Sequence, residues 1–259
     1  MQILAHRTAM ANAPPNSLQG FHVCHREGVK IIECDVNFTF DGRSVIWNDA
    51  DRHRLSKSVF SVDNYTLEEL TNLKRKDSNE PLLGVNGVLF FLRNHPECRV
   101  LFDIKYHHED LMGIILKIPS YFIRLTIQEV IGPAIAMKLT NQIGFVTFEG
   151  GARLLKAAKE SSRDIQTNLI VVRPWVGISR HLEYLDGVTV GWGWRGRNHW
   201  WLCPGRVERL VEEVKKSGRK IWGGLARNYS HIEWLQYHGF EGVWVDDIVM
   251  ARSVLESEI

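Results

Sequence analysis

The sequence is poor in cysteine: 259 residues contain four, Cys24, Cys34, Cys98 and Cys203, widely scattered and mostly within apolar stretches. That usage argues against a disulfide scaffold or a cysteine zinc site and suggests reduced, buried thiols. Long apolar runs are absent, and the opening Met-Gln-Ile-Leu-Ala-His has a strand pattern without a basic leader. Neither a signal peptide nor a membrane anchor is visible, so a cytoplasmic protein without membrane insertion is expected. Charge of one sign is lacking too. With 32 basic and 30 acidic residues the formal net charge is +2, leaving no global field to recruit nucleic acid or an anionic membrane. No internal repeat, low-complexity tract or linker interrupts the chain, and residues 1–259 read as one domain.

What is present is an alternation of short apolar runs with segments of helical period, the pattern of βα units on a parallel sheet. Strands are expected at Ile3–His6, Lys30–Thr39, Arg99–Lys105, Ile143–Phe148, Asn168–Val172, Gly187–Trp192, Lys220–Leu225 and Gly242–Val245. Asp41-Gly42 turns the second strand into a partner at Ser44–Trp47. Helices are expected from Asn16 or Ser17 to Gly28, over Thr66–Lys74, Pro81–Arg93, Gly151–Glu160, Pro204–Ser217 and Ser230–His238, and over Ile248–Leu255. Eight main strands in this length predict a (β/α)₈ TIM barrel. A helix is expected from about His108, a poorly patterned stretch follows through Asn141, and residues 106–142 leave room for a small insertion or lid after the third main strand. A doubly wound sheet is the alternative, but no Gly-x-Gly-x-x-Gly follows the first strand.

In a barrel the site lies at the carboxyl ends of the strands, so those residues are read together. The first strand ends in His6-Arg7, the second carries Glu33 and Asp35, its partner ends in Asn48-Asp49, and the third ends in Asp103-Ile104-Lys105. Later strands end near Arg173, Trp192, Trp222 and Asp246. Glu33 and Asp35, two apart, share a strand face, where paired carboxylates repel unless a cation lies between them. With Asp103 they form an oxygen set suited to Mg²⁺ or Ca²⁺. Arg7 and Lys105 could hold a phosphate, and His6 is suited to moving a proton near neutral pH. Plainer roles stay open: His6 as a hydrogen-bonded core histidine, Arg7 as a surface cation, Asp103 and Lys105 as a simple pair.

The ordered motifs resemble the glycerophosphodiester phosphodiesterase family. They are Ala5-His6-Arg7, Ala13-Pro14-Pro15-Asn16-Ser17, Ile32-Glu33-Cys34-Asp35-Val36, Thr39-Phe40-Asp41-Gly42, Val45-Ile46-Trp47-Asn48-Asp49, Phe102-Asp103-Ile104-Lys105, Lys220-Ile221-Trp222 and Gly242-Val243-Trp244-Val245-Asp246. The resemblance implies a (β/α)₈ barrel that cleaves a small-molecule phosphodiester with a divalent metal. It assigns metal ligation to Glu33, Asp35 and Asp103, phosphate contacts to Arg7 and Lys105, acid/base work to His6, and a site tryptophan to Trp222.

The sequence departs from that pattern where the family carries its second histidine. Here Asn48 stands, which can orient a phosphate oxygen but carries no proton at neutral pH. Loss of one acid/base partner slows hydrolysis by roughly 10²- to 10⁴-fold. Three outcomes follow: His53 substitutes, the substrate needs only one proton carrier because of a good leaving group or an attacking hydroxyl of its own, or the protein binds a phosphodiester without turning it over. A phosphodiester-forming or cyclising enzyme on the same site is a separate alternative. Pro15 in place of glutamate and Asp103 in place of glutamate are further departures. The stretch from Trp192 to Trp201 interleaves tryptophan and arginine, which suits a sugar or polyol headgroup.

Overall fold

The computed structural model describes residues 1–55, 61–106, 117–172, 178–190 and 204–256. The expectations for Arg173, the 192–201 stretch, Cys203 and the helix starting at His108 fall outside these ranges or largely so. Among the described residues ten strands lie in one sheet: β1 Gln2–Ala5, β2 Ile31–Phe38, β3 Ser44–Ile46, β4 Leu83–Gly84, β5 Arg99–Ile104, β6 Ile143–Phe148, β7 Gln166–Val171, β8 Gly187–Val190, β9 Lys220–Ala226 and β10 Gly242–Val245. Eight of them pair in parallel in the order β1-β10-β9-β8-β7-β6-β5-β2 and close through β1–β2, giving the (β/α)₈ barrel. The closing seam is short, with only Leu4↔Ile31 and Ala5↔Ile32 in register. β3 pairs antiparallel with β2 and β4 antiparallel with β3, and this excursion carries Trp47 and Asn48 to the rim.

Helices return the chain between strands. Ser17 caps the first, α1 Leu18–Arg26, by accepting from the Gly20 amide, and Gly28 at φ +68 ends it in a conformation that favours glycine. Thr66 and Glu69 form a capping box on α2 Leu67–Thr71. The helix expected from Pro81 begins later, as α3 Val85–Asn94, because Leu83 pairs with Ile46 as strand first. Between β5 and β6 lies a continuous helical run, Ser120–Thr126, then a wider π turn over Ile127–Ile131, then Gly132–Ala136. Pro133 cannot donate to the preceding turn and its ring crowds the carbonyl there, which the wider turn relieves. That irregularity shifts the apolar register and explains the weak pattern in the sequence.

Alternation along the strands separates two cores. One face of β2, Ile32, Cys34 and Val36, joins the layer between strands and helices with Phe21, Leu89 and Phe91. The other face points into the barrel, where Leu4, Ile31, Leu101, Trp222 and Trp244 form a compact fill. A third cluster of Val45, Trp47, Leu55 and Leu70 supports the β3–β4 excursion. Cys24, Cys34 and Cys98 are buried free thiols. Among the described residues no helix is long and apolar enough to cross a membrane.

Candidate active site

The inward face of β2 changes from Ile31 at the floor to Glu33 and Asp35 at the carboxyl end, and β5 changes in step from Leu101 to Asp103. In register, Asp35 stands directly opposite Asp103. Carboxylate oxygens of Glu33, Asp35 and Asp103 all lie within 4.8 Å of one another, and all three residues are buried. Three acids so placed cannot all ionise without compensation. Burial, and then the charges of Asp35 and Asp103, push the Glu33 carboxyl up to about 7.

Compensation is concentrated on Asp35. Burial works against its ionisation, but Arg7 and Lys105 overcome that and hold it well below the usual carboxylate range. Arg7 Nε lies 2.9 Å from Asp35 Oδ2, and Lys105 Nζ lies 2.8 Å from Oδ1. Asn16 and Asn48 each donate from Nδ2 to Asp35 Oδ2, at 2.9 and 3.1 Å, and the Asp35 amide donates to Asn16 Oδ1. Lys105 also reaches Asp103 Oδ2 at 2.5 Å. The Arg7 amide donates to Glu33 Oε2 at 2.8 Å, which ties the rim of β1 to β2.

His6 sits at the end of β1 with Nδ1 2.7 Å from Asp246 Oδ1 and Nε2 4.0 Å from Glu33 Oε2. Burial opposes protonation of His6, yet the bond to Asp246 and the Glu33 charge outweigh it and raise its pKa. The imidazole thus faces the carboxylate cluster with its other nitrogen anchored.

The structure brings together His6, Arg7, Glu33, Asp35, Asn48, Asp103 and Lys105. Trp222 is the exception and a correction. β9 continues four residues beyond it, so Trp222 lies below the rim, 1% exposed, edge-on to Trp244 at 5.8 Å within the barrel fill. It shapes the floor and does not line the mouth. His53 is exposed on the turn that Asn48 caps. Sequence reasoning did not assign three residues that the geometry now includes: Asn16 and Asp246, as above, and Asp51, 3.8 Å from the Arg7 guanidinium. Asn16 and Asp246 were present in the quoted motifs; Asp51 had no signal beyond its charge.

The donor set fits a hard divalent ion: three buried oxygen ligands, one of which, Glu33, is pushed toward its neutral form by burial and then by the charges of Asp35 and Asp103. Beside Lys105 a cleft of about 240 Å³ opens, lined by Phe38, Thr39, Phe40, Asp49, Tyr121 and Phe122 among others.

A parallel eight-stranded barrel with acids, cations and an imidazole gathered at the carboxyl rim has the build of a barrel enzyme. Comparison with known proteins narrows this. The profile described as "Glycerophosphoryl diester phosphodiesterase family" matches residues 6–250, and the chain belongs to that family. A glycerophosphodiester phosphodiesterase of Caldanaerobacter subterraneus subsp. tengcongensis is 26% identical over 250 residues, covering 95% of this chain and 93% of the relative. Among solved structures, an Oleispira antarctica phosphodiesterase in complex with the product sn-glycerol-3-phosphate superposes with TM-score 0.75 at 17% identity, over 99% of this chain and 97% of that one. A glycerophosphodiester phosphodiesterase from Agrobacterium tumefaciens gives 0.70 at 15%, over 98% and 100%.

Proposed function

We propose that the chain works as one cytoplasmic barrel domain that hydrolyses a glycerophosphodiester at the carboxyl rim, with altered proton-transfer equipment. The observation that carries this reading is the buried meeting of three carboxylates, one imidazole and two cations. Glu33, Asp35 and Asp103 would hold a divalent ion, Mg²⁺ or Ca²⁺. When bound, such an ion supplies charge to a phosphoryl oxygen and makes a bound water more acidic.

The protein's own groups do the rest. Arg7 and Lys105 grip the phosphate oxygens, the first as a fork and the second as a point charge. Lys105 is available for this once it is released from Asp35 and Asp103. Asp246 keeps His6 protonated, and His6 delivers that proton to the departing alkoxide. Asn48 spends its amide on Asp35 and on the Ala50 amide, so it positions the carboxylate and moves no proton. The cleft beside Lys105 seats the alcohol that leaves, and its mixed aromatic and polar wall suits a polyol or sugar. The product held by the Oleispira relative has the chemistry of one half of such a substrate.

The test is turnover of a panel of glycerophosphodiesters followed by phosphorus NMR. EDTA is expected to abolish turnover, Mg²⁺ or Ca²⁺ to restore it, and His6→Ala to reduce it by about a hundredfold or more. Turnover undiminished by EDTA overturns the reading. The committed amide of Asn48 favours one further outcome: a hydroxyl of the substrate attacks phosphorus, and a cyclic phosphate appears in the same spectra. Ligand-dependent thermal stabilisation without any product identifies a binding protein instead.

A further inference from the structure

We propose a second cation site, formed by His25, His95 and Glu97 at the end of the barrel opposite the rim, and suited to a borderline transition ion such as Zn²⁺. Helix α1 returns from the rim, so its last turn, with His25, lies beside the amino ends of the strands. His95 ends α3, and Glu97 stands just ahead of β5. The three therefore come from two separate βα units. One ligand atom from each lies within 4.8 Å of the other two. His25 Nε2 is 2.7 Å from Glu97 Oε1, and the His25 and His95 rings are 4.1 Å apart, centre to centre.

The surroundings suit a built site. His22, one turn before His25 on α1, stands edge-on to His95 with ring centres 6.0 Å apart. Phe91 supplies an apolar floor, 4.4 Å from the His95 ring and 2% exposed. Two imidazoles and a carboxylate make a Zn²⁺ donor set, whereas the all-oxygen set at the rim suits Mg²⁺ or Ca²⁺. Tetrahedral Zn²⁺ with bonds of about 2.0–2.1 Å needs donors roughly 3.4 Å apart, so the His25–Glu97 pair at 2.7 Å must widen and the wider separations must close, by movements on the order of 1 Å. Water completes the shell. A bound ion clasps α1 to the α3–β5 connection.

The site is tested by calorimetric titration of the full chain with Zn²⁺ in excess Mg²⁺, which occupies oxygen ligands and spares imidazoles. One Zn²⁺ per chain is expected, weakened tenfold or more by His25→Ala and by His95→Ala and unchanged by Glu33→Gln. Zn²⁺ uptake indifferent to both histidine substitutions, or lost with Glu33→Gln, overturns the proposal. Cu²⁺ added to the unsubstituted protein gives a second readout that needs no variant to fold. Electron paramagnetic resonance with nitrogen couplings from two imidazoles supports the site, and an oxygen-only spectrum overturns it.

Discussion

Asp35 and Asp103 face each other across the β2–β5 ladder, and the Lys105 ammonium lies between them, 2.8 Å from the first and 2.5 Å from the second. A side-chain cation thus stands on two of the three acids proposed to share a divalent ion. On that proposal Lys105 and the ion compete for the same oxygens, and the competition has measurable consequences.

Lys105→Met removes the internal cation and leaves the carboxylates short of compensation. Breaking a buried pair by removing one partner costs about 3–5 kcal/mol, so the variant is expected to unfold at lower temperature than the parent in EDTA. Added Mg²⁺ then has no ammonium to displace. The rise in unfolding temperature on Mg²⁺ addition should be larger in Lys105→Met than in the parent, measured by calorimetry at pH 8. Turnover should be lost in the same variant whatever the ion, because the phosphate grip proposed for Lys105 is gone.

The His6–Asp246 bond sets a pH dependence whose sign is fixed by the direction of each shift. His6 is raised above its ordinary 6.5, burial notwithstanding, so its contribution to stability is fully present below pH 6.5 and is lost as pH rises through the raised value. Asp246 is lowered below 3.8 against the effect of burial, mainly by His6, so its contribution is present above pH 3.8 and is lost as pH falls through the lowered value. In Asp246→Asn the desolvation of His6 dominates, and the imidazole should titrate at lower pH than in the parent. Carbon-13 NMR of labelled histidine, with His6→Ala assigning the resonance, follows the change.

Asn48→His restores a proton carrier next to Asp35. Acid/base groups contribute typically 10²- to 10⁴-fold, and turnover of a glycerophosphodiester is expected to rise at least tenfold, with a new ionisation in the pH–rate profile. The measurement is kcat against pH for parent and variant under identical metal. A variant that binds metal normally and gains nothing shows that position 48 acts only through Asp35.

Gly144 tests the packing beneath the site. A Cβ there would lie 2.5 Å from Leu101 Cδ2 and 2.6 Å from the Gln166 carbonyl oxygen, and the latter is backbone with little freedom to move. Gly144→Ala is expected to destabilise the fold by roughly 1–3 kcal/mol in urea unfolding.

Much of this fold can be read from the chain because local signals and tertiary demands agree. β6 and β10 have the bounds that their apolar runs suggest, and Gly28, Gly218 and Gly239 end helices at positive φ. The carboxylates were legible for the same reason, since strand alternation puts Glu33 with Asp35 and Asp103 with Lys105. What escaped depends on distance along the chain or on depth. Nothing local links His6 to Asp246, 240 positions away. Trp222 looks like a strand end until the full length of β9 is known. In residues 120–136, the π turn breaks the period that a helix reading needs.

The two-pair seam between β1 and β2 has a last consequence. His6 and Arg7 follow one side of it, Glu33 and Asp35 the other, and the Arg7 amide bonds across to Glu33. The competent constellation exists only when the ring of strands is shut. A chain whose first strand has not yet docked can possess most of its core and still be chemically inert, so activity recovered after dilution from denaturant is a clock for the final stitch of assembly.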